Sequence, residues 1–157
     1  YDNDEPAAAQ IMLAANYAGR AINITQTTAA HAMSYKLTSM YDLPHGHAVA
    51  LCLPHVWKYM INNPDKCIDP RGERHLMNVF KEINESFGTK NSEDSVNFFE
   101  EILIRPEIDS PVTDNPRDIR VLTESTNTTR LKYNPVYLSQ ETIRSMYETI
   151  VKIKKEV

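Results

Sequence analysis

Five histidines hold most of the chemistry open to this sequence: His31, His45, His47, His55 and His75. Imidazole binds divalent metals and moves protons near neutral pH without help from its surroundings, so its placement is decisive. The spacing excludes the short zinc signatures. There is no H-E-x-x-H, and no two histidines stand four apart on one helix. A histidine taken alone is ordinarily a hydrogen-bonded structural residue, and His55 and His75 are read that way. His31 and His45 differ in their surroundings. His31 lies within Thr27-Thr28-Ala29-Ala30-His31-Ala32-Met33-Ser34-Tyr35, among small uncharged neighbours, and His45 within Leu43-Pro44-His45-Gly46, where proline directs the chain and glycine leaves space beside the ring. A helix, a break and a second helix between them would fold the chain back and bring the two imidazoles to one point. Two imidazoles are too few for a tight catalytic metal site, which takes three or four protein ligands, usually with a carboxylate. Asp42, the nearest acid, belongs to the turn and is poorly placed, so further ligands must come from outside this segment.

Composition excludes other chemistries. The 157 residues contain only four glycines, Gly19, Gly46, Gly72 and Gly88, where average usage of about 7% would give roughly eleven. None are close enough for a G-x-G-x-x-G or G-x-x-x-x-G-K loop, so this chain holds no phosphate cradle of that kind. The net charge of −4 argues against a nucleic-acid surface. No apolar run of about 18 residues occurs, so no membrane span is expected. Cys52 and Cys67 stand fifteen apart, without C-x-x-C spacing, which points to a reducing, cytoplasmic compartment with Cys52 as a small buried hydrophobe. The sequence opens on Tyr1 and an acidic stretch unlike a signal peptide, and the missing methionine suggests that further sequence precedes it.

The elements that must position the histidines are helical. Asp4-Glu5-Pro6 starts a first helix, with Ile11, Ala15, Ala18 and Ile22 at three- and four-residue steps, and its alanines and Gly19 predict close packing on a neighbouring helix. A second helix is expected from about Thr27 to Tyr41 along Ala30, Met33, Leu37 and Met40, broken by Asp42-Leu43-Pro44. A third begins near His45-Gly46 and contains Pro54, which should free the carbonyl of Ala50 and kink the helix or end its first half. Asp69-Pro70 opens a fourth helix through Leu76, Val79, Phe80, Ile83 and Phe87, stopped by Gly88. Ser92 opens a fifth with Val96, Phe99, Ile102 and Leu103 inward and Pro106 beyond its end. A loop over Glu107–Thr113, a short helix after Asn115-Pro116, an irregular Glu124–Arg130 and a last helix capped by Ser139 and running into Lys152–Lys155 complete the chain. No segment alternates with period two, so the fold class is all-α, a single helical bundle.

Four passages together resemble the C-terminal helical domain of iron-containing alcohol dehydrogenases: Ala18-Gly19-Arg20-Ala21-Ile22, Ala30 to Leu37, Leu43-Pro44-His45-Gly46-His47-Ala48-Val49-Ala50, and Leu53-Pro54-His55-Val56. The resemblance is strongest over residues 14–60 and continues to Asn134-Pro135 and the capped last helix, which look like that family's final segment. The wording of Met33–Thr38 and His45-Gly46-His47 is similar to the branch that includes phosphonoacetaldehyde reductases. Family membership implies an N-terminal α/β domain that binds NAD(P)H and a helical domain that holds a divalent metal, iron or zinc, through one aspartate and three histidines. By motif position His31 corresponds to the third ligand and His45 to the fourth. The Asp-x-x-x-His pair that supplies the first two has no counterpart before His31, so residues 1–157 read as the C-terminal helical metal-binding domain without its first helix and without the nucleotide domain.

The resemblance also places Tyr35 where many members carry a second histidine near the nicotinamide, which makes Tyr35 the cofactor-side residue and puts a proton relay there in doubt. If the aldehyde carries a phosphonate, Lys36 and Arg20 are the nearest cations in sequence. The implied activity is hydride transfer between NAD(P)H and a small aldehyde or alcohol, by a homodimer in the full-length protein, with the fragment inactive by itself. Two other readings stand beside it: a helical domain without chemistry that serves association, and a stand-alone metallohydrolase, which would lack its carboxylate.

Overall fold

Local chemistry sets most of the helix ends. In the computed structural model, which describes residues 4–104, 106–126 and 128–154, the Asp4 carboxylate accepts from the Ala7 amide at 3.0 Å and opens α1 (Glu5–Ile22). Helix α2 (Ala29–Tyr41) stops at Asp42, whose φ of 52° is left-handed, and Pro44 leads directly into α3 (His45–Asn62). After a single 3₁₀ turn at Pro64–Lys66 come α4 (Glu73–Phe87), ended by Gly88 at φ 67°, and α5 (Ser92–Ile104). The remaining elements are β1 (Val112–Thr113), α6 (Arg117–Ser125), α7 (Thr128–Leu131), α8 (Gln140–Ile150) and β2 (Lys152–Ile153). Ser139 caps α8 by accepting from the Thr142 amide at 3.1 Å. The helical architecture read from the sequence is the one found.

The core forms where the apolar stripes of α2, α3, α5, α6 and α8 face one another. Met33 and Leu37 of α2, Cys52 and Val56 of α3, Val96 of α5, Leu122 of α6 and Tyr147 of α8 are fully buried. Helix α2 packs most extensively on α3 and also meets α6 and α7, while α8 packs on α6 and α3. On the far side of α3, Trp57, Phe87 and Phe98 form a chain of tilted rings with centroids 5.9 and 5.7 Å apart. No helix among the described residues is long and apolar enough to cross a membrane.

Several expectations are corrected. Helix α1 forms where expected but buries none of its residues, and Ile11, Met12, Leu13 and Tyr17 are all more than half exposed. Its cap and its alanines are sufficient to shape it, but no neighbour among the described residues covers it. Helix α3 runs through Pro54 without ending, although proline removes the amide that would donate to the Ala50 carbonyl. Helix α4 starts at Glu73, not at Asp69-Pro70. The Asp69 carboxylate accepts from the Arg71 amide at 2.9 Å and from its guanidinium at 2.7 and 2.9 Å, which makes a turn, and Gly72 at φ 84° leaves that turn. Ile102 faces outward, 43% exposed.

Two corrections concern the C-terminal third. The segment Glu107–Thr113, expected to be a loop, contains β1, and the basic stretch expected to end the last helix contains β2, which lies parallel to β1 with Val112 opposite Lys152. The Lys152 amide donates to the Pro111 carbonyl at 2.9 Å and the Lys154 amide to the Thr113 carbonyl at 2.8 Å. Two-residue strands carry no alternation to read, so this pairing is invisible to sequence periodicity. The segment Glu124–Arg130, whose composition predicts an irregular connection, holds the end of α6 and most of α7.

Candidate metal and substrate site

His31 and Tyr35 are one turn apart on α2 and therefore share a face. His45 is the first residue of α3, and the three-residue connection Asp42–Pro44 turns the chain so that its ring reaches both of them. The centroids of His31 and His45 are 5.5 Å apart, edge to face at 61°. Tyr35 stacks on His45 at 5.4 Å with only 19° between the rings. The set sits at the surface: Tyr35 is 44% exposed, His45 is exposed and His31 half-buried. Helix α2 is fixed beneath them, because the buried Tyr147 hydroxyl donates to the Met33 carbonyl at 2.8 Å and the Ser34 hydroxyl donates to the His31 carbonyl at 3.0 Å.

Charge enters the site from a distant element. The guanidinium of Arg130, on α7, lies over the Tyr35 ring with Cζ 5.0 Å from the centroid, and its Nη1 donates to the Thr27 hydroxyl at 3.3 Å. The His31 imidazole is held below the ordinary histidine value, first by burial and then by the neighbouring His45 and Arg130. The shift favours the neutral ring, which keeps a lone pair on one nitrogen, the form a metal ion needs. Among the described residues no group of three or more His, Cys, Asp or Glu converges. The donor set fits half of a divalent-metal site, two imidazoles without a carboxylate.

The other sequence candidates fall elsewhere. Arg20, on the uncovered α1, lies over the Tyr17 ring at 5.8 Å. Lys36 follows Tyr35 on α2, about 100° further round the helix, and its ammonium makes no ion pair among the described residues. Nε2 of His47 donates to the Asp109 carbonyl at 2.8 Å, a structural bond to the segment after α5. His55 lines a cleft of about 550 Å³ with Pro54, Glu100, Leu103 and Asp109, and neither His31 nor His45 borders it. Burial holds the His55 imidazole below its ordinary value, with Glu100 opposing and Lys58 assisting. Arg130 was not found from sequence. It lies 99 residues after His31, and only the packing of α7 on α2 brings it in; its one visible mark was a lone cation in a Thr- and Asn-rich stretch.

Residues 1–151 match the family described as Fe-containing alcohol dehydrogenase, C-terminal. Over 90 residues, 55% of this chain and 23% of the relative, the sequence is 39% identical to phosphonoacetaldehyde reductase of Streptomyces viridochromogenes. Over 53 residues, 33% of this chain and 14% of the relative, it is 47% identical to 1,3-propanediol dehydrogenase of Citrobacter freundii. The chain thus spans less than a quarter of these relatives' length. Its fold is that of part of sulfoacetaldehyde reductase from Bifidobacterium kashiwanohense in complex with NAD+, with a TM-score of 0.63 at 21% identity, covering 79% of this chain and 31% of that one.

Proposed function

This chain belongs to the Fe-containing alcohol dehydrogenase family, and on that premise we propose that it is the metal-holding helical part of an NAD(P)H-dependent aldehyde reductase. One observation carries the reading: two imidazoles fourteen residues apart meet edge to face at 5.5 Å on an exposed face. His31 and His45 supply two ligands to a divalent ion, iron or zinc, and an Asp-x-x-x-His pair outside this sequence supplies the others. When bound, the ion supplies positive charge that offsets the negative charge growing on an aldehyde carbonyl as hydride arrives.

The residues of this chain have limited tasks. His31 stays neutral because burial and its cationic neighbour disfavour its proton. Tyr35, its ring faces taken by His45 and Arg130, offers the nicotinamide its exposed hydroxyl edge, and nucleotide phosphates are held elsewhere, in the absence of any glycine loop here. Helix α2, seated by Met33 and Leu37, keeps the imidazole of His31 in register with that of His45. The substrate is a short aldehyde bearing an anionic group, a reading supported by the name of one relative, a phosphonoacetaldehyde reductase.

The test is metal content and NADH- or NADPH-dependent aldehyde reduction in full-length His31→Ala and His45→Ala proteins. Both should lose most of their metal and at least 100-fold in turnover while unfolding near the wild-type midpoint, since neither ring belongs to the core. Full metal occupancy and activity in both variants would falsify the assignment. The uncovered apolar residues of α1 favour a second reading, a domain that serves only association. That reading gains if the histidine variants are silent and Ile11→Asp alters the oligomeric state.

A further inference from the structure

We propose that Arg130 binds the anionic end of the aldehyde: its guanidinium, laid on Tyr35 beside the imidazole pair, recognises a phosphonate or sulfonate one carbon from the carbonyl. The inference rests on the reading of His31 and His45 as the site of carbonyl reduction. Guanidinium, phenol and imidazole form a stack with spacings of 5.0 and 5.4 Å, contributed by α7, α2 and the start of α3. A guanidinium lying on a ring directs its N–H fork sideways, in its own plane. That fork matches two oxygens of a tetrahedral oxyacid, where an ammonium offers only a point charge.

Reach and rigidity agree. A two-carbon aldehyde places its carbonyl oxygen roughly 4–5 Å from an oxygen of its tail by bond lengths alone, and with one contact at each end this spans the two steps, 5.0 and 5.4 Å, between guanidinium and imidazole. The guanidinium is braced by the Thr27 hydroxyl at 3.3 Å and by the Tyr35 face, and the side chain is half-buried, so little rotamer freedom remains to be lost on binding. The two cations suggested by sequence proximity lack this placement: Arg20 lies on α1 over Tyr17, and Lys36 cannot present a planar fork.

The experiment uses the full-length protein with Arg130→Met, which keeps apolar packing on Tyr35, and Arg130→Lys, which keeps the charge. Kinetics are compared for phosphonoacetaldehyde and for the neutral propionaldehyde, and ethylphosphonate binding is measured by calorimetry. Removing a charged, two-pronged hydrogen bond should raise KM for phosphonoacetaldehyde about 10- to 100-fold. The preference for phosphonoacetaldehyde over propionaldehyde should fall at least tenfold, with the lysine variant between methionine and wild type. Ethylphosphonate should bind at least tenfold more weakly to Arg130→Met. Equal losses with both aldehydes overturn the proposal, as does a raised KM for NADH or NADPH with aldehyde preference intact, which would assign the guanidinium to cofactor phosphates. If the wild type reduces no aldehyde, the reading of the histidine pair fails. Arg130 is then judged on ethylphosphonate alone: a tenfold weakening in the methionine variant supports an anion site, and equal binding overturns it.

Discussion

The hydroxyl of Tyr147 offers a sharp test of what seats α2, and with it His31 and Tyr35. The side chain is completely buried, its hydroxyl donates to the Met33 carbonyl at 2.8 Å, and the Thr126 hydroxyl lies 3.1 Å away. Tyr147→Phe removes one oxygen and leaves the ring in place. Neither partner is orphaned. The Met33 carbonyl is inside α2, where the helix ladder supplies an amide, and the Thr126 hydroxyl keeps the Leu122 carbonyl at 3.1 Å. The cost is therefore the net value of one buried hydrogen bond, about 1 kcal/mol, without the extra 1–3 kcal/mol of an unsatisfied group.

That loss is small beside the burial of Met33 and Leu37, each of which contributes roughly 1.5–3 kcal/mol. Apolar packing, not the hydroxyl, keeps α2 in place, so the variant should retain the histidine pair. The assay is urea denaturation followed by the fluorescence of Trp57, the chain's single tryptophan, nearly buried against Phe87. The expected result is a lower midpoint with unchanged slope, equivalent to about 1 kcal/mol. A loss above 3 kcal/mol, or a changed slope, would refute the reasoning by showing that the hydroxyl organises the core. No loss at all would mean that the bond to Met33 does not form in solution.

Cys52 is fully buried and burial pushes its thiol up to about 12, whereas Cys67 is half-buried. In the native protein at pH 8 a thiol reagent should label Cys67 and reach Cys52 only on unfolding; rapid labelling of both would contradict the packing of α3. Burial also holds His55 and His31 below the unfolded histidine value near 6.5. Folding therefore excludes protons that the unfolded chain binds, so stability is complete above pH 6.5 and declines as pH falls towards the depressed folded values. Each group contributes at most about 1.4 kcal/mol per pH unit. His55→Gln should flatten the fall in stability between pH 6.5 and 5, and an unchanged slope would show that His55 is protonated in the folded state.

Where the fold was legible, the signal was confined to a few consecutive residues. Asp4, Ser139 and Gly88 cap helices through contacts within one turn, and the stripes through Met33 and Leu37 or Leu76 and Phe80 report a buried face. Where it was not, a local preference met a competitor. Asp69 looks like a helix cap and instead forms a turn with Arg71, and Pro54 looks like a stop but α3 continues through it. The pairing of Val112 with Lys152 joins positions forty residues apart through two amide bonds, too few to leave a pattern.

The candidate site divides along the same line, for a physical reason. His31 and Tyr35 share a face because they are one turn apart, and His45 joins them because a left-handed Asp42 and Pro44 reverse the chain; all three are consequences of local geometry. Arg130 depends on α7 packing against α2, which is set by where α6 and α8 bury their own apolar faces. No rule of spacing links position 130 to position 31. A pair of imidazoles that meet can therefore be read from sequence context, whereas the guanidinium proposed to choose the substrate's charge is delivered by tertiary packing. If Arg130 does bind the substrate's anion, substrate preference should change on altering that one residue of α7 while the histidines and the helices that hold them stay as they are.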